Sequence, residues 1–201
     1  MQAFHLLGAA PFYTNSFLLI SQAGHAAIID PAAEVQEYDK LLKEHNATLT
    51  HILCTHGHYD HVGSAGVLSR EWGAKVWCEA ADCGGTQLFP LKSADSNYTE
   101  GGNIEVDELT FTAWHTPGHT EGSVVLLCGA YLFVGDTVFQ GSIGRTDLEG
   151  GSSRKMDASL RKFAGLPIPK ETQLLPGHGD FSTYGEELES NYYIKAALRN
   201  A

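Results

Sequence analysis

Three imidazoles and a carboxylate fall within six residues, at His56, His58, Asp60 and His61, in the run Thr55-His-Gly-His-Tyr-Asp-His61. The apolar run at 49–54, Leu-Thr-His-Ile-Leu-Cys, leads straight into it. Imidazole and carboxylate together suit zinc, iron or manganese, and a loop anchored to a strand end holds such donors rigidly. At the chain's own frequencies of His and Asp, HxHxDH arises by accident in roughly one chain in a thousand of this length. Four clustered donors constrain the fold: other segments must arrive at the same place to complete a metal site.

The pattern along the chain says where such segments lie. Short apolar or alternating runs at 3–7, 16–20 and 26–29 read as three opening strands, the last closing at Asp30-Pro31. Residues 34–45 space Val35, Tyr38, Leu41 and Leu42 at helical intervals, and Val62, Ala65, Leu68 and Trp72 form a second helical stripe ending at Gly73. Residues 75–78 return as a strand. Gly, Ser, Asp, Asn and Pro then dominate 81–103, which reads as a long irregular loop able to form one pocket wall. Leu109, Phe111 and Ala113 alternate with Thr110, Thr112 and Trp114 as a half-buried strand, and 123–127 pairs with 131–134 across Gly129-Ala130. Met156, Leu160 and Phe163 mark a further helix, 172–175 a short strand and 184–199 a closing helix. No repeat or linker interrupts 1–201, so one domain is expected.

Three more loop residues have the right chemistry: His119 in Thr116-Pro-Gly-His-Thr120, Asp136 after Gly135, and His178 in Pro176-Gly-His-Gly179. Each follows a strand pattern and has a neighbouring glycine that permits sharp turns and close approach. If the four strand ends converge on one sheet edge, seven donors meet there, enough for two metals.

The formal net charge is −11, and Lys and Arg are not clustered, which argues against a nucleic-acid surface. No apolar run reaches the 18 residues needed to cross a bilayer, and Met1-Gln-Ala-Phe-His lacks the basic start of a secretion signal, so a cytosolic protein without membrane partners is expected. The four cysteines show no CxxC spacing and read as reduced thiols, with Cys54 a core residue.

HxHxDH, TPGHT, GD and PGHG, in that order and over most of the chain, resemble the metallo-β-lactamase superfamily. The resemblance implies an α/β fold, a four-layer αββα sandwich of mixed sheets flanked by helices. It implies that His56, His58 and His119 hold one divalent ion, that Asp60, His61 and His178 hold a second, and that Asp136 bridges them. Zinc is the expected metal, with iron or manganese as alternatives. Gly141-Ser-Ile-Gly-Arg145-Thr-Asp147 is closer to the glyoxalase II and persulfide dioxygenase branches, where Arg145 falls at a glutathione-holding position. The chain ends before the extra helical part of full glyoxalase II.

The activity so implied is hydrolysis of a small-molecule thioester such as an S-acyl glutathione. Two ions lower the pKa of a shared water and polarise the carbonyl, while Asp60 orients the water. A persulfide dioxygenase would instead use one iron on His56, His119 and Asp136. Lactonase activity shares the ligands, and a scaffold that has lost catalysis would lack one of them. His5, His25, His45, His51 and His115 read as structural or surface groups. Asp30 and Asn15 are candidates to orient ligand imidazoles, Arg145 to bind a substrate anion or pair with Asp147, and Tyr59 and Tyr184 to line an entrance.

Overall fold

The computed structural model describes residues 1–200. Its first half opens with β1 (Gln2–Leu7), β2 (Asn15–Ile20) and β3 (His25–Ile29), then α1 (Val35–Glu44), β4 (Thr48–Leu53), α2 (Tyr59–Val62), α3 (Ala65–Trp72) and β5 (Lys75–Trp77). A short turn at Ala80–Asp82 follows, then β6 (Asn103–Val106), β7 (Leu109–His115), β8 (Val124–Cys128) and β9 (Tyr131–Gly135). The chain finishes with β10 (Val138–Phe139), β11 (Ser142–Ile143), α4 (Ser153–Ala164), β12 (Gln173–Pro176), β13 (Ser182–Thr183), α5 (Tyr184–Ser190) and α6 (Tyr192–Arg199).

Strand periodicity sorts the side chains into three apolar layers. In β2 and β3, Leu18, Ile20, Ala26 and Ile28 face α1 and α3, where they bury Tyr38, Leu42, Ala65 and Leu68. Their alternates Phe17, Leu19, Ala27 and Ile29 face the other way and meet Phe111, Leu126 and Phe133 of the second sheet. Val125, Leu132, Val134 and Leu174 then cover the outer face of that sheet against Met156, Leu160 and Phe163 of α4 and Ile194 of α6. The result is the expected αββα sandwich.

One sheet has the order β1-β2-β3-β4-β5, the other β13-β12-β9-β8-β7-β6, and β10 with β11 forms a separate hairpin. β9 and β12 are parallel, while β8 is antiparallel to both β7 and β9. β7, β9 and β12 therefore run in one direction, and the loops that follow them emerge at one end of the sandwich. β4 belongs to the other sheet, so the donors gather across two sheets rather than on one sheet edge as the sequence suggested.

Three other expectations need correction. The closing helix is broken at Asn191, whose backbone is extended and whose side chain accepts from the amides of Tyr193 and Ile194 to cap α6. Periodicity alone runs through such a cap. Tyr184 is buried in the outer core and donates to the Phe163 carbonyl (2.6 Å), far from serving as an entrance residue. The segment 81–103 is not wholly irregular, since Ser96 bridges to Trp77. No helix among the described residues is long and apolar enough to cross a membrane.

Phe111 is fully buried between the sheets, whereas Leu198 on α6 is 47% exposed. Phe111→Ala should cost about 3–5 kcal/mol of unfolding free energy by urea titration, and Leu198→Ala no more than about 0.5 kcal/mol. Equal costs would contradict the layer assignment.

Candidate metal centre

The Thr55 backbone and side chain join the ends of both sheets. Its carbonyl accepts from the Val124 amide of β8 (2.8 Å), and its amide and hydroxyl each donate to the Asp30 carboxylate (2.6 Å each). Gly135, at φ +47°, lies against Thr55 so closely that a Cβ there would collide with the Thr55 hydroxyl. Only glycine satisfies both the backbone conformation and the contact. The loop after β4 is thereby pressed onto the loop after β9.

Every expected donor arrives at this place. His56, His58 and His119 offer ring nitrogens within 4.8 Å of one another, and a carboxylate oxygen of Asp60 and ring nitrogens of His61 and His178 lie equally close together. His58 Nδ1 lies 3.0 Å from His119 Nε2, and His61 Nε2 lies 3.3 Å from His178 Nε2. Asp136 stands between the groups. Its Oδ1 is 3.4 Å from His61 Nε2, and its Oδ2 is 3.3 Å from His119 Nε2 and 3.5 Å from His178 Nε2. Asp60 Oδ2 is 3.3 Å from His178 Nε2.

His56 Nε2 and Asp136 Oδ1 are buried and have no hydrogen-bond partner. Leaving such a group unpaired costs roughly 1–3 kcal/mol of desolvation. A cation among these lone pairs offsets that cost, so the donor set fits a divalent metal. Asp30 also lies within 4.8 Å of donors on His56 and His61. Its two oxygens are already occupied by Thr55 and by His61 Nδ1 (3.0 Å). Asp30 thus orients His61, a role it combines with the turn before Pro31.

The remaining rings are also held from behind. His119 Nδ1 bonds the Arg145 carbonyl (2.8 Å), and His178 Nδ1 bonds the Phe12 carbonyl (3.1 Å). Thr14 donates to Asp60 Oδ2 (3.2 Å). Asn15 touches no ligand ring: its amide donates to the carbonyls of Pro176 and Gly179 (3.0 Å each), clamping the loop that carries His178, while its Oδ1 pairs with His5. The roles of Phe12, Thr14 and the Arg145 carbonyl were invisible in the sequence, because two are backbone acceptors and the third is an ordinary threonine.

The two groups differ in proton affinity. Burial, with His61 and His119 nearby, holds His56 well below its ordinary 6.5. Burial, His119 and His61 bring His58 down to about 4. Burial pulls His61 down as well, but the carboxylates of Asp136, Asp30 and Asp60 outweigh it and carry the ring up to about 9. His178 is raised in the same way, burial being overridden by Asp60 and Asp136. Burial pushes Asp60 up, yet its hydrogen bond to His178 and the charge of His61 keep it well below the usual carboxylate range.

The donors open into a cavity of about 770 Å³. Phe12, Tyr59, Leu88, Phe139 and Leu148 supply apolar wall, with Phe12 and Tyr59 packed edge to face (5.5 Å between ring centres). Leu88 is the contribution of the 81–103 segment. Arg145 also lines the cavity, but its guanidinium is gripped by Asp147 at 2.7 and 2.9 Å, the ion pair that competed with anion binding in the sequence reading. His115 instead pairs with Glu79 and Glu100. Cys54 is buried and free, in the core between the first sheet and its helices.

A sandwich of this topology with histidines and carboxylates gathered at its strand ends defines a metallo-hydrolase fold. The sequence pattern of the metallo-beta-lactamase superfamily matches residues 9–178, and the chain belongs to that superfamily. It is 30% identical over 207 residues to the hydroxyacylglutathione hydrolase GloC of Haemophilus influenzae, spanning 95% of this chain and 97% of that one. It is similar to the crystal structure of BLEG-1 B3 metallo-beta-lactamase (TM-score 0.85, 31% identity, 96% and 99% of the two chains). It is also similar to TTHA1623 in a di-iron-bound form (TM-score 0.80, 29% identity, 94% and 99% of the two chains).

A cation entering the Asp60, His61 and His178 group must displace protons, because the two rings have raised pKa values and are protonated below them. Affinity there should rise with pH through neutrality until about 9, the value for His61. Calorimetric titration in buffers of different ionisation enthalpy should show proton release with this ion. In the first group, His56 and His58 should release few protons to a cation above about pH 5, because burial and the neighbouring rings hold both below their ordinary value. Identical pH profiles for both groups would contradict the assignment.

Proposed function

We propose that the protein is a metal-dependent hydrolase of a small-molecule thioester, with an S-acyl glutathione as the first candidate. His56, His58 and His119 would hold one divalent cation and Asp60, His61 and His178 the other, with Asp136 placed between the two groups. Zinc is the expected metal, with iron and manganese as alternatives. The observation that carries this reading is the Asp136 carboxylate, whose two oxygens face His61 on one side and His119 and His178 on the other. The GloC relative, named for hydroxyacylglutathione hydrolysis, supports the substrate class, and the di-iron form of TTHA1623 supports two ions.

Bound divalent ions supply Lewis acidity, which brings the pKa of water toward neutrality and draws electron density from a carbonyl oxygen. The protein's own groups do the rest. Asp60 stays ionised across the working pH range, so it accepts a hydrogen bond and orients water without acting as an acid. Ser142 lines the cavity, but among the described residues no imidazole hydrogen-bonds its hydroxyl, so the site activates water and not a side chain. Water adds its oxygen to the acyl carbon, the C–S bond breaks with its electron pair going to sulfur, one water proton ends on the leaving thiol and the other passes to solvent, and a carboxylate remains. Phe12, Tyr59 and Leu88 shield the reacting carbonyl from bulk solvent. Arg145 exchanges Asp147 for a carboxylate of the substrate. Free cysteines accord with a reducing, cytoplasmic setting.

Protein of measured zinc, iron and manganese content should hydrolyse S-lactoylglutathione. Asp136→Ala should lower kcat/KM by about a hundredfold or more and lose bound metal. One iron per chain, with oxygen uptake on glutathione persulfide and no thioester hydrolysis, would overturn the proposal.

A further inference from the structure

Asp82 is a carboxylate that the reaction does not use. It ends the short turn Ala80–Asp82 and is completely buried. Its Oδ2 accepts from the Gly57 amide (3.0 Å) and the Thr120 hydroxyl (2.6 Å), and its Oδ1 accepts from the Gly122 amide (2.8 Å). These partners lie 25 to 40 residues away along the chain, so the side chain is not capping its own turn. Gly57 is the residue between His56 and His58, and Thr120 directly follows His119. One carboxylate therefore joins the two segments that carry the whole first histidine group.

The packing is specific to this contact. A Cβ on Gly57 would collide with Asp82, and so would one on Gly122. The chemistry is specific as well, because three donors converge on a group with no donor of its own. An amide in its place sets an NH2 against the Gly122 amide in one orientation and against the Gly57 amide in the other. Burial pushes the Asp82 carboxyl up from its ordinary value, while Thr120, Gly122 and Gly57 pull it back. No Lys, Arg or His side chain forms an ion pair with it among the described residues. Its charge therefore lies between the two segments that carry His56, His58 and His119, with no cationic side chain to balance it. That favours a cation among them.

We infer that Asp82 is a positioning residue for the first metal group, setting the spacing of His56, His58 and His119 and strengthening the hold of that trio on a divalent cation. The inference rests on the reading that this trio binds metal. Second-sphere partners of metal ligands are worth about ten- to a hundredfold in affinity.

The test uses the full chain stripped of metal, with zinc as the probe and a chromophoric chelator as competitor. His178→Ala leaves the first group as the principal site, and His119→Ala leaves the second. Asp82→Asn should weaken zinc at least about tenfold in the His178→Ala background, and change it less than about twofold in the His119→Ala background. Thr120→Val, which removes one of the three donors and is gentler on folding, should show the same asymmetry with a smaller loss. Unchanged affinity in the first background would overturn the inference. So would equal losses in both backgrounds accompanied by a matching fall in the Tm of the metal-free protein, which would make Asp82 a general brace. No zinc binding by the His178→Ala protein with Asp82 intact would remove the metal reading itself, and the inference with it.

Discussion

The structure depends on the join between the two sheets at the Val124 amide and the Thr55 carbonyl (2.8 Å). Sandwich packing alone holds sheets face to face at about 10 Å, which is too far apart for donors from both to share a cation. At Thr55 the loop after β4 leaves its own sheet and is bonded to the end of the other, while the Asp30 carboxylate holds the threonine from behind. Gly135 removes the side chain that would keep the loops apart. The apolar layers supply most of the stability, but this polar contact decides where the strand ends meet.

From that join follows an electrostatic asymmetry. In the first histidine group, burial and the neighbouring rings hold His56 and His58 below their ordinary proton affinity. The second group is crowded by Asp30, Asp60 and Asp136, whose charges hold protons on His61 and His178. A cation entering the second group would have to displace protons that the first group does not hold on His56 and His58. Arg145 lines the same pocket with its guanidinium engaged by Asp147, so an anion bound there would have to compete with a side chain of the protein.

Much of this was legible in the chain. The strands were found because period-two burial writes itself into alternating residues, as in Leu109, Phe111 and Ala113. The donors were legible because four cluster in one HxHxDH run after an apolar stretch, and His119, Asp136 and His178 each follow a glycine after a strand pattern. What failed were features without local signature. The break at Asn191 is made by a side-chain cap within a continuous helical pattern. Tyr184 was misplaced because amphipathic residues look alike in a core and at an entrance. Asn15 was expected to touch a ligand ring, but it holds the backbone around His178 instead.

By itself the sequence determined which donor residues come together and most of the secondary structures that carry them, since donor chemistry and burial periodicity are properties of short stretches. The sandwich was implied by the resemblance of its motifs to the metallo-β-lactamase superfamily. Asp30 was an expected orienting group, but only the tertiary structure decided that it serves His61, and that Phe12 lies behind His178, Arg145 behind His119, and Asp82 between the loops of His58 and His119. Those partners are separated by 25 to more than 160 residues, and two of them act through backbone carbonyls that every residue possesses. Nothing in the identity of a distant residue encodes such a contact; it exists because packed sheets bring the chain back to the same point.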